Sequence, residues 1–332
     1  MNAAVKPQAI NTIQAVNLAL DEAMAADPNV IVLGEDVADA QEGGIVGVTR
    51  GLSSKYGVSR VRSTPISEQA IIGAAIGAAI VGMRPVAEIM LMNFTTVAMD
   101  MIVNHAAKLR FMSGGQTHVP LTIRTMTGAG FGTGGQHADY LEAWFAHTAG
   151  IKVVAPSSPA EAYGLMLSCI YDDDPCLFIE NMPTYWNPGA APERGVRIPL
   201  GKANVLRAGS DVTVVSYSRM LSECVAVADK LAAEGINVEL IDLRTVAPWD
   251  QRTVIDSVAK TRRAVIVHEA GRQFGVGAEI AATINEQLFG QLRAAVVRLG
   301  AQECPVPFSK PLELAFMPQQ PAIEAAIRTT LK

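Results

Sequence analysis

Short apolar runs alternate along the chain with stretches of helical period. Asn29–Leu33 (NVIVL) follows a helical pattern that begins near Thr12. Pro85–Leu91 (PVAEIML) follows the small-residue stretch AIIGAAIGAAIVGM, Ala70–Met83. Leu121–Met126 follows a helical pattern over Thr95–Met112, and Ile151–Val154 and Cys176–Ile179 flank another over Pro159–Ile170. This β/α alternation predicts a mostly parallel sheet covered by helices.

From Asn181 to Gly209 the period fails. The stretch is rich in proline and glycine and reads as a linker. Alternation then resumes: DVTVVSYS, NVELIDL, RAVIVHE and AAVVRL read as strands. Helices are expected over Leu221–Glu234, Asp250–Lys260 and Val276–Leu288, with one more at the C-terminus. The chain therefore divides near residue 195 into 1–195 and 196–332. The predicted fold class is α/β, two parallel-sheet domains of three layers each.

Composition narrows the class. With 332 residues, 49% hydrophobic and 18% charged, the chain has material for two ordinary domains. A net charge of -5 and the absence of any Lys/Arg block speak against nucleic-acid binding. The start, MNAAVKPQAINTIQAV, lacks a basic segment followed by a long apolar run, so no secretory signal is expected. AIIGAAIGAAIVGM is too short to cross a bilayer and reads as a buried helix. Cys169, Cys176, Cys224 and Cys304 have no metal-ligand spacing, as expected of a reduced, cytoplasmic protein.

Several stretches carry candidate chemistry. FGTGGQHADY (131–140) follows a predicted strand, and Gly130, Gly132 and Gly135 satisfy GxGxxG. It reads as a dinucleotide cradle, a plain turn, or a sharp turn that presents His137 at a strand's carboxyl end, where ligands bind in parallel sheets. The acidic residue that a dinucleotide ribose requires about 20 positions on is missing. In TPISEQ (64–69), Ser67 reads as a helix N-cap and Glu68 as an anion in the first turn. No charge follows until beyond Met83, so a buried Glu68 would need a partner, and a ligand nitrogen would serve. Met90, Met92 and Phe94 alternate at a strand end, either as core or as a platform for a flat heteroaromatic ring. YDDDP (171–175) reads as a surface turn or a cation-binding run of carbonyls. HEAGRQFGVGAEI (268–280) reads as an anion cradle at a helix start or, because Glu269 and Glu279 speak against phosphate, as a close-packed interface loop. There is no GxxxxGK[ST], GxSxG or HExxH sequence.

Eight blocks occur in one order: LGEDV, TPISE, GMRPVAEIM, AAKLRFMSGGQ, VPLTIRT, FAHTAGIKVVAPSSP, DDDPCLFIEN and FGVGAEI. Together they resemble the beta chain of the two-chain, thiamine diphosphate-dependent 2-oxo acid and acetoin dehydrogenases, over nearly the whole chain. The resemblance implies an N-terminal pyrimidine-binding domain and a C-terminal transketolase-type domain. It implies that Glu68 hydrogen-bonds the cofactor's aminopyrimidine nitrogen, with Ile66, Met90 and Phe94 against that ring. It implies that His137 donates to the lipoyl sulfur or a substrate oxygen during acyl transfer. Leu121, Cys169, Asp172 and Asp174 match positions whose carbonyls bind a monovalent cation, K+.

The family's GDG motif, which holds Mg2+ and the diphosphate, is absent here and lies on the alpha chain. The resemblance thus implies half an active site, completed in a heterotetramer of two alpha and two beta chains that docks on a dihydrolipoyl acyltransferase core. The chain departs from the family in two places. Ala138-Asp139 stands where relatives commonly read Ser-Gln after the histidine, and HTAG (147–150) replaces HxPG. An approach of Asp139 to His137 would raise the imidazole's pKa; alternatively Asp139 caps the next helix. The alternatives of function are a specialised carboligase subunit, a nicotinamide oxidoreductase, and a non-catalytic scaffold.

Overall fold

The run Val30–Gly34 (β1) is buried at every position. Val30 and Val32 feed one hydrophobic cluster, Ile31 and Leu33 another. Side chains alternate across a strand, so a wholly apolar run needs a helix layer on each face. Val86 and Ala87 divide between the same two clusters in the same way.

The computed structural model describes residues 9–332. Residues 1–8, on which the expectation of no secretory signal largely falls, lie outside the described residues. In chain order the first half comprises α1 (Thr12–Ala26), β1, α2 (Leu52–Tyr56), β2 (Val61–Ser63), α3 (Glu68–Ile80), β3 (Arg84–Leu91), α4 (Leu109–Met112), β4 (Thr122–Thr127), α5 (Glu142–Ala146), β5 (Lys152–Val154), α6 (Pro159–Ile170) and β6 (Cys176–Asn181). The second half comprises β7 (Asn204–Arg207), β8 (Val212–Ser216), α7 (Arg219–Ala232), β9 (Val238–Asp242), β10 (Thr245–Ala247), α8 (Gln251–Thr261), β11 (Ala264–Gly271), α9 (Val276–Leu288), β12 (Val297–Ala301), α10 (Lys310–Phe316) and α11 (Gln320–Leu331).

Two sheets result. The first runs β10-β5-β6-β4-β3-β1-β2 and the second β12-β11-β8-β9-β7. Each is parallel except for one antiparallel edge strand, β10 on β5 and β7 on β9. β10 reaches from beyond residue 195 to complete the first sheet. One cluster joins the inner faces of both sheets: it contains Ile31, Ile72, Ile89 and Phe145 together with Ile241, Ile266 and Ile284. The two halves therefore share a continuous hydrophobic core rather than a polar seam.

Local sequence explains the helix starts. Asn11 and Gln14 form a reciprocal capping box on α1. Ser158 caps α6 through Glu161 N–H, with Pro159 at its first position. Three expectations are corrected. The helix expected over Thr95–Met112 is broken into a 3-10 turn (Met92–Thr96), a π-helical turn (Met101–Ala106) and α4. Ser67 stands at the N-cap of α3 but makes no capping hydrogen bond. The C-terminal helix is two, α10 and α11. The stretch expected to be irregular from Asn181 begins on the last residue of β6 and carries a 3-10 turn (Met182–Thr184) and one bridge, Gly189 to Ile10, before β7. No helix of the described residues is long and apolar enough to cross a membrane. The four cysteines are free.

Candidate active site

The strand order β4-β3-β1-β2 sets four segments side by side at the carboxyl edge of the first sheet. Glu35 follows β1, Glu68 opens α3 after β2, Met90 to Phe94 run from the end of β3 into the 3-10 turn beyond it, and the glycine loop with His137 follows β4. A crevice at such an edge is where parallel α/β sheets bind ligands.

Glu68 is the first residue of α3 and is buried, yet it makes no hydrogen bond or ion pair among the described residues. Glu35, beside it, titrates above the usual carboxylate range. Burial is the main cause, followed by the charges of Glu68, Asp36 and Glu88. LGEDV carries Glu35 in plain sight, but only the fold makes it a neighbour of Glu68. Ile66 is 82% exposed at the same edge. Along α3 itself the outward positions Ala70, Ala74, Gly77 and Ile80, with Val81 at its end, are small or apolar and uncharged.

Phe94 and His137 meet edge to face, with ring centroids 5.5 Å apart and planes at 71°. Phe94 lies on the 3-10 turn beyond the end of β3, not on the strand, while Met92 is fully buried core and Met90 is half-buried. Asn93, missed in the sequence, makes the junction. Its amide donates to Gly135 O at 3.0 Å and to Asp139 Oδ2 at 2.9 Å, and its oxygen accepts from Asp139 N–H. Thr127 Oγ1 donates to Asp139 O. Asp139 is thus turned to Asn93: it forms no ion pair with His137 and does not cap α5, whose N-cap is Leu141. Burial raises the Asp139 carboxyl and the Asn93 bond opposes it. Ala138 sits in a small apolar cluster with Ala129, Val306 and Phe316, where a serine hydroxyl would be desolvated.

The glycine loop is an anion cradle, but the chain's own carboxylates fill it. Gly130 N–H donates to Glu313 Oε1 at 2.8 Å and Gly132 N–H to both oxygens at 3.1 Å. Ala129 N–H donates to Glu269 Oε1, and Asn181 Nδ2 to Glu269 Oε2. This overturns the dinucleotide reading of Gly130, Gly132 and Gly135, because the amides a pyrophosphate would use are taken.

Deeper in the same sheet Arg124 on β4 binds Glu88 on β3 at 2.5 Å and Glu180 on β6 through two nitrogens, at 2.6 and 2.9 Å. Tyr185 O–H donates to Glu180 as well. Burial holds the Glu88 carboxyl above its usual range against the pull of Arg124. A narrow crevice lined by Gly43, Gly44, Glu88, Met90 and Arg124 opens above the group.

YDDDP is a salt-bridged turn. Lys152 holds Asp172 and Asp174, Arg84 holds Asp173, and Arg110 holds Asp174. Leu121 O already accepts from Cys176 N–H, Cys169 O from Asp172 N–H, and Asp172 O from Arg84. Among the described residues no three His, Cys, Asp or Glu side chains converge to hold a metal ion. In HEAGRQFGVGAEI, His268 is buried against the start of α9, and burial pushes its pKa down to about 4. Phe274 stands 93% exposed on the same loop. A cavity of 790 Å³ beside it, lined by Met99, Trp144, His147 and Phe274, includes neither Glu68 nor His137.

The comparisons decide the family. Residues 8–185 match the transketolase pyrimidine binding domain and residues 201–323 the transketolase C-terminal domain. The chain is 44% identical to the beta subunit of acetoin:2,6-dichlorophenolindophenol oxidoreductase of Cupriavidus necator, over 96% of each chain. The chain belongs to the beta-subunit family of the thiamine diphosphate-dependent 2-oxo acid and acetoin dehydrogenases. It is 42% identical to the mitochondrial pyruvate dehydrogenase E1 component subunit beta-1 of Arabidopsis thaliana, over 95% of this chain and 87% of the relative. Its fold matches a solved split-gene transketolase, an inactive beta4 tetramer, with TM-score 0.80 at 21% identity, over 98% of this chain and 99% of that one. As a beta subunit it implies an alpha partner in a dehydrogenase complex.

Proposed function

We propose that this beta subunit supplies the pyrimidine-side half of a thiamine diphosphate site, in an enzyme that cleaves a 2-oxo acid or acyloin and passes the acyl group to lipoamide. The observation that carries the reading is Glu68: a buried carboxylate without a partner among the described residues, at a helix N-terminus, on the sheet edge that also holds Phe94 and His137. An unpaired buried carboxylate is costly, and a cofactor ring nitrogen that donates to it removes the cost. Phe94, with Met90 and the exposed Ile66, offers apolar surface to a flat ring. When bound, the thiazolium would supply an electron sink for the carbon left by cleavage. Glu68 would hold the ring and bias its tautomer, and His137 would donate a proton at the reacting end.

The outward face of α3 is uncharged from Gln69 to Met83 and would be covered by an alpha chain, which is expected to carry the diphosphate and Mg2+ ligands in an alpha2-beta2 assembly. A dihydrolipoyl acyltransferase is the expected acceptor. For K+ at Leu121, Cys169, Asp172 and Asp174 the fit is partial. The carbonyls already accept hydrogen bonds, and Lys152 occupies the neighbouring carboxylates. Thermal midpoints in potassium against choline chloride decide whether an ion adds stability there.

The test of the main reading is Glu68→Gln in the assembled enzyme. Cofactor C2-proton exchange and turnover should fall by about a hundredfold or more while the fold is retained. Unchanged exchange refutes the role. Acyl transfer to a carbonyl acceptor rather than lipoamide would instead favour the carboligase alternative.

A further inference from the structure

The loop after β4 is shaped from the other half of the chain. Its five glycines and His137 belong to the first half, yet nearly every group that fixes residues 129–135 comes from the second. Glu269 on β11 takes the Ala129 N–H, and Arg219 at the start of α7 donates to Ala129 O at 2.5 Å. Glu313 on α10, 183 positions away, takes the Gly130 and Gly132 N–H groups. Phe308 lies over Gly134, where a Cβ would come within 2.4 Å of its ring, and Pro305 lies over Gly135.

Glu313 is the unusual member. Its residue is 2% exposed, and no lysine, arginine or histidine pairs with it among the described residues. A buried carboxylate without a cation is costly, and converging backbone amides offset that cost. Convergence here requires left-handed backbone: φ is +127° at Gly130 and +67° at Gly132. Such a backbone is readily adopted by glycine, but without an anion in the cradle its amides would face one another across an empty concavity. Beyond the cradle the chain has only four residues before His137, and Asn93 ties its far end. The loop is thus pinned at both ends, by Glu313 and by Asn93, with His137 between.

We infer that Glu313 is a positioning residue: its carboxylate sets the glycine loop from the opposite half of the chain and so holds His137 against Phe94. The inference rests on the proposed role of His137 and extends it to a group that touches neither cofactor nor substrate. It also gives the glycine loop a use that no phosphate-cradle reading offers. The bound anion is built in, and it couples the second half's packing to the acid of the first.

The test is made in the chain assembled with its alpha partner, with Glu313→Gln, Glu313→Asp, His137→Ala and the double variant Glu313→Gln/His137→Ala. Two readouts are taken: hydrogen exchange of residues 128–139, and kcat and KM separately. In Glu313→Gln the Gly130 and Gly132 amides should exchange at least tenfold faster. The expected fall in kcat is about tenfold to a hundredfold with KM for the carbonyl substrate little changed. Glu313→Asp keeps the charge and should recover part of both effects, and it also serves if the glutamine variant does not fold. In the His137→Ala background Glu313→Gln should cost little more. Equal losses in both backgrounds, or unaltered loop exchange, overturn the inference. If His137→Ala alone keeps full turnover, the role of His137 falls, and the exchange arm still reports on the loop independently.

Discussion

Replacing Arg124 by methionine should destabilise the chain strongly, and more so at alkaline pH. Arg124 is buried between Glu88 and Glu180, and its three hydrogen bonds to them are 2.5–2.9 Å long. Methionine keeps most of the volume but leaves two buried carboxylates facing each other across β4. Removing one partner of a buried ion group costs about 3–5 kcal/mol. With an m-value near 3 kcal/mol/M, the urea midpoint should fall by roughly 1–2 M at pH about 8. The sign with pH follows from linkage. Without the cation the Glu88 carboxyl, already raised by burial, titrates higher still in the folded state than in the unfolded chain. Its contribution is favourable below the unfolded value and is lost as pH rises through the folded one. The deficit should therefore shrink as pH falls toward about 5. The variant with Glu88→Gln and Glu180→Gln added should regain much of the loss. Urea titration at both pH values is the assay. A midpoint shift under roughly 0.3 M at the higher pH, or a shift independent of pH, would refute the claim that the group is an ionised triad.

Burial pushes the Glu142 carboxyl from 4.5 up to about 8, with the Tyr217 hydroxyl opposing and Glu269 adding to the rise. Its contribution is full below pH 4.5 and lost toward pH 8; Glu142→Gln should be flatter over that range and more stable by roughly 4 kcal/mol at its alkaline end, read by chemical denaturation. Gly150→Ala would bring a Cβ to 1.9 Å from Ala107 O at a φ of +98°, and should lower stability by roughly 3 kcal/mol or prevent expression. Asp139→Asn keeps an acceptor for the Asn93 amide, so it should change stability by less than about 1 kcal/mol and leave the pH–rate profile in place; a displaced profile would show that Asp139 acts on His137 after all.

Most of the sheet was legible because its central strands are buried on both faces and read as unbroken apolar runs. β2, β7 and β10 were not. All three lie at sheet edges, they are short, and β7 carries exposed Val205 and Leu206 amid polar residues. Tertiary pairing, not local pattern, makes them strands. The π-helical turn at Met101–Ala106 has no local signature, since its apolar period is that of a helix throughout. Of the proposed site, Glu68 and His137 were readable as candidates from their surroundings, and Phe94 as an aromatic at a strand end. Asn93, Glu35 and Glu313 were not. Their roles come from partners on other elements, and Glu313 looks like a surface residue in the amphipathic KPLELAF until its amide partners are seen. The glycine loop shows why a phosphate motif misleads: GxGxxG describes a cradle, and here a glutamate of the same chain lies in it.

The half-site claim is tested most directly by titrating thiamine diphosphate and Mg2+ into the purified beta subunit, the alpha chain, and their mixture by calorimetry, with turnover measured on each. Tight, saturable binding and turnover are expected in the mixture, and neither in the beta subunit alone. A beta subunit that binds the cofactor tightly and turns over fully by itself would contradict the account.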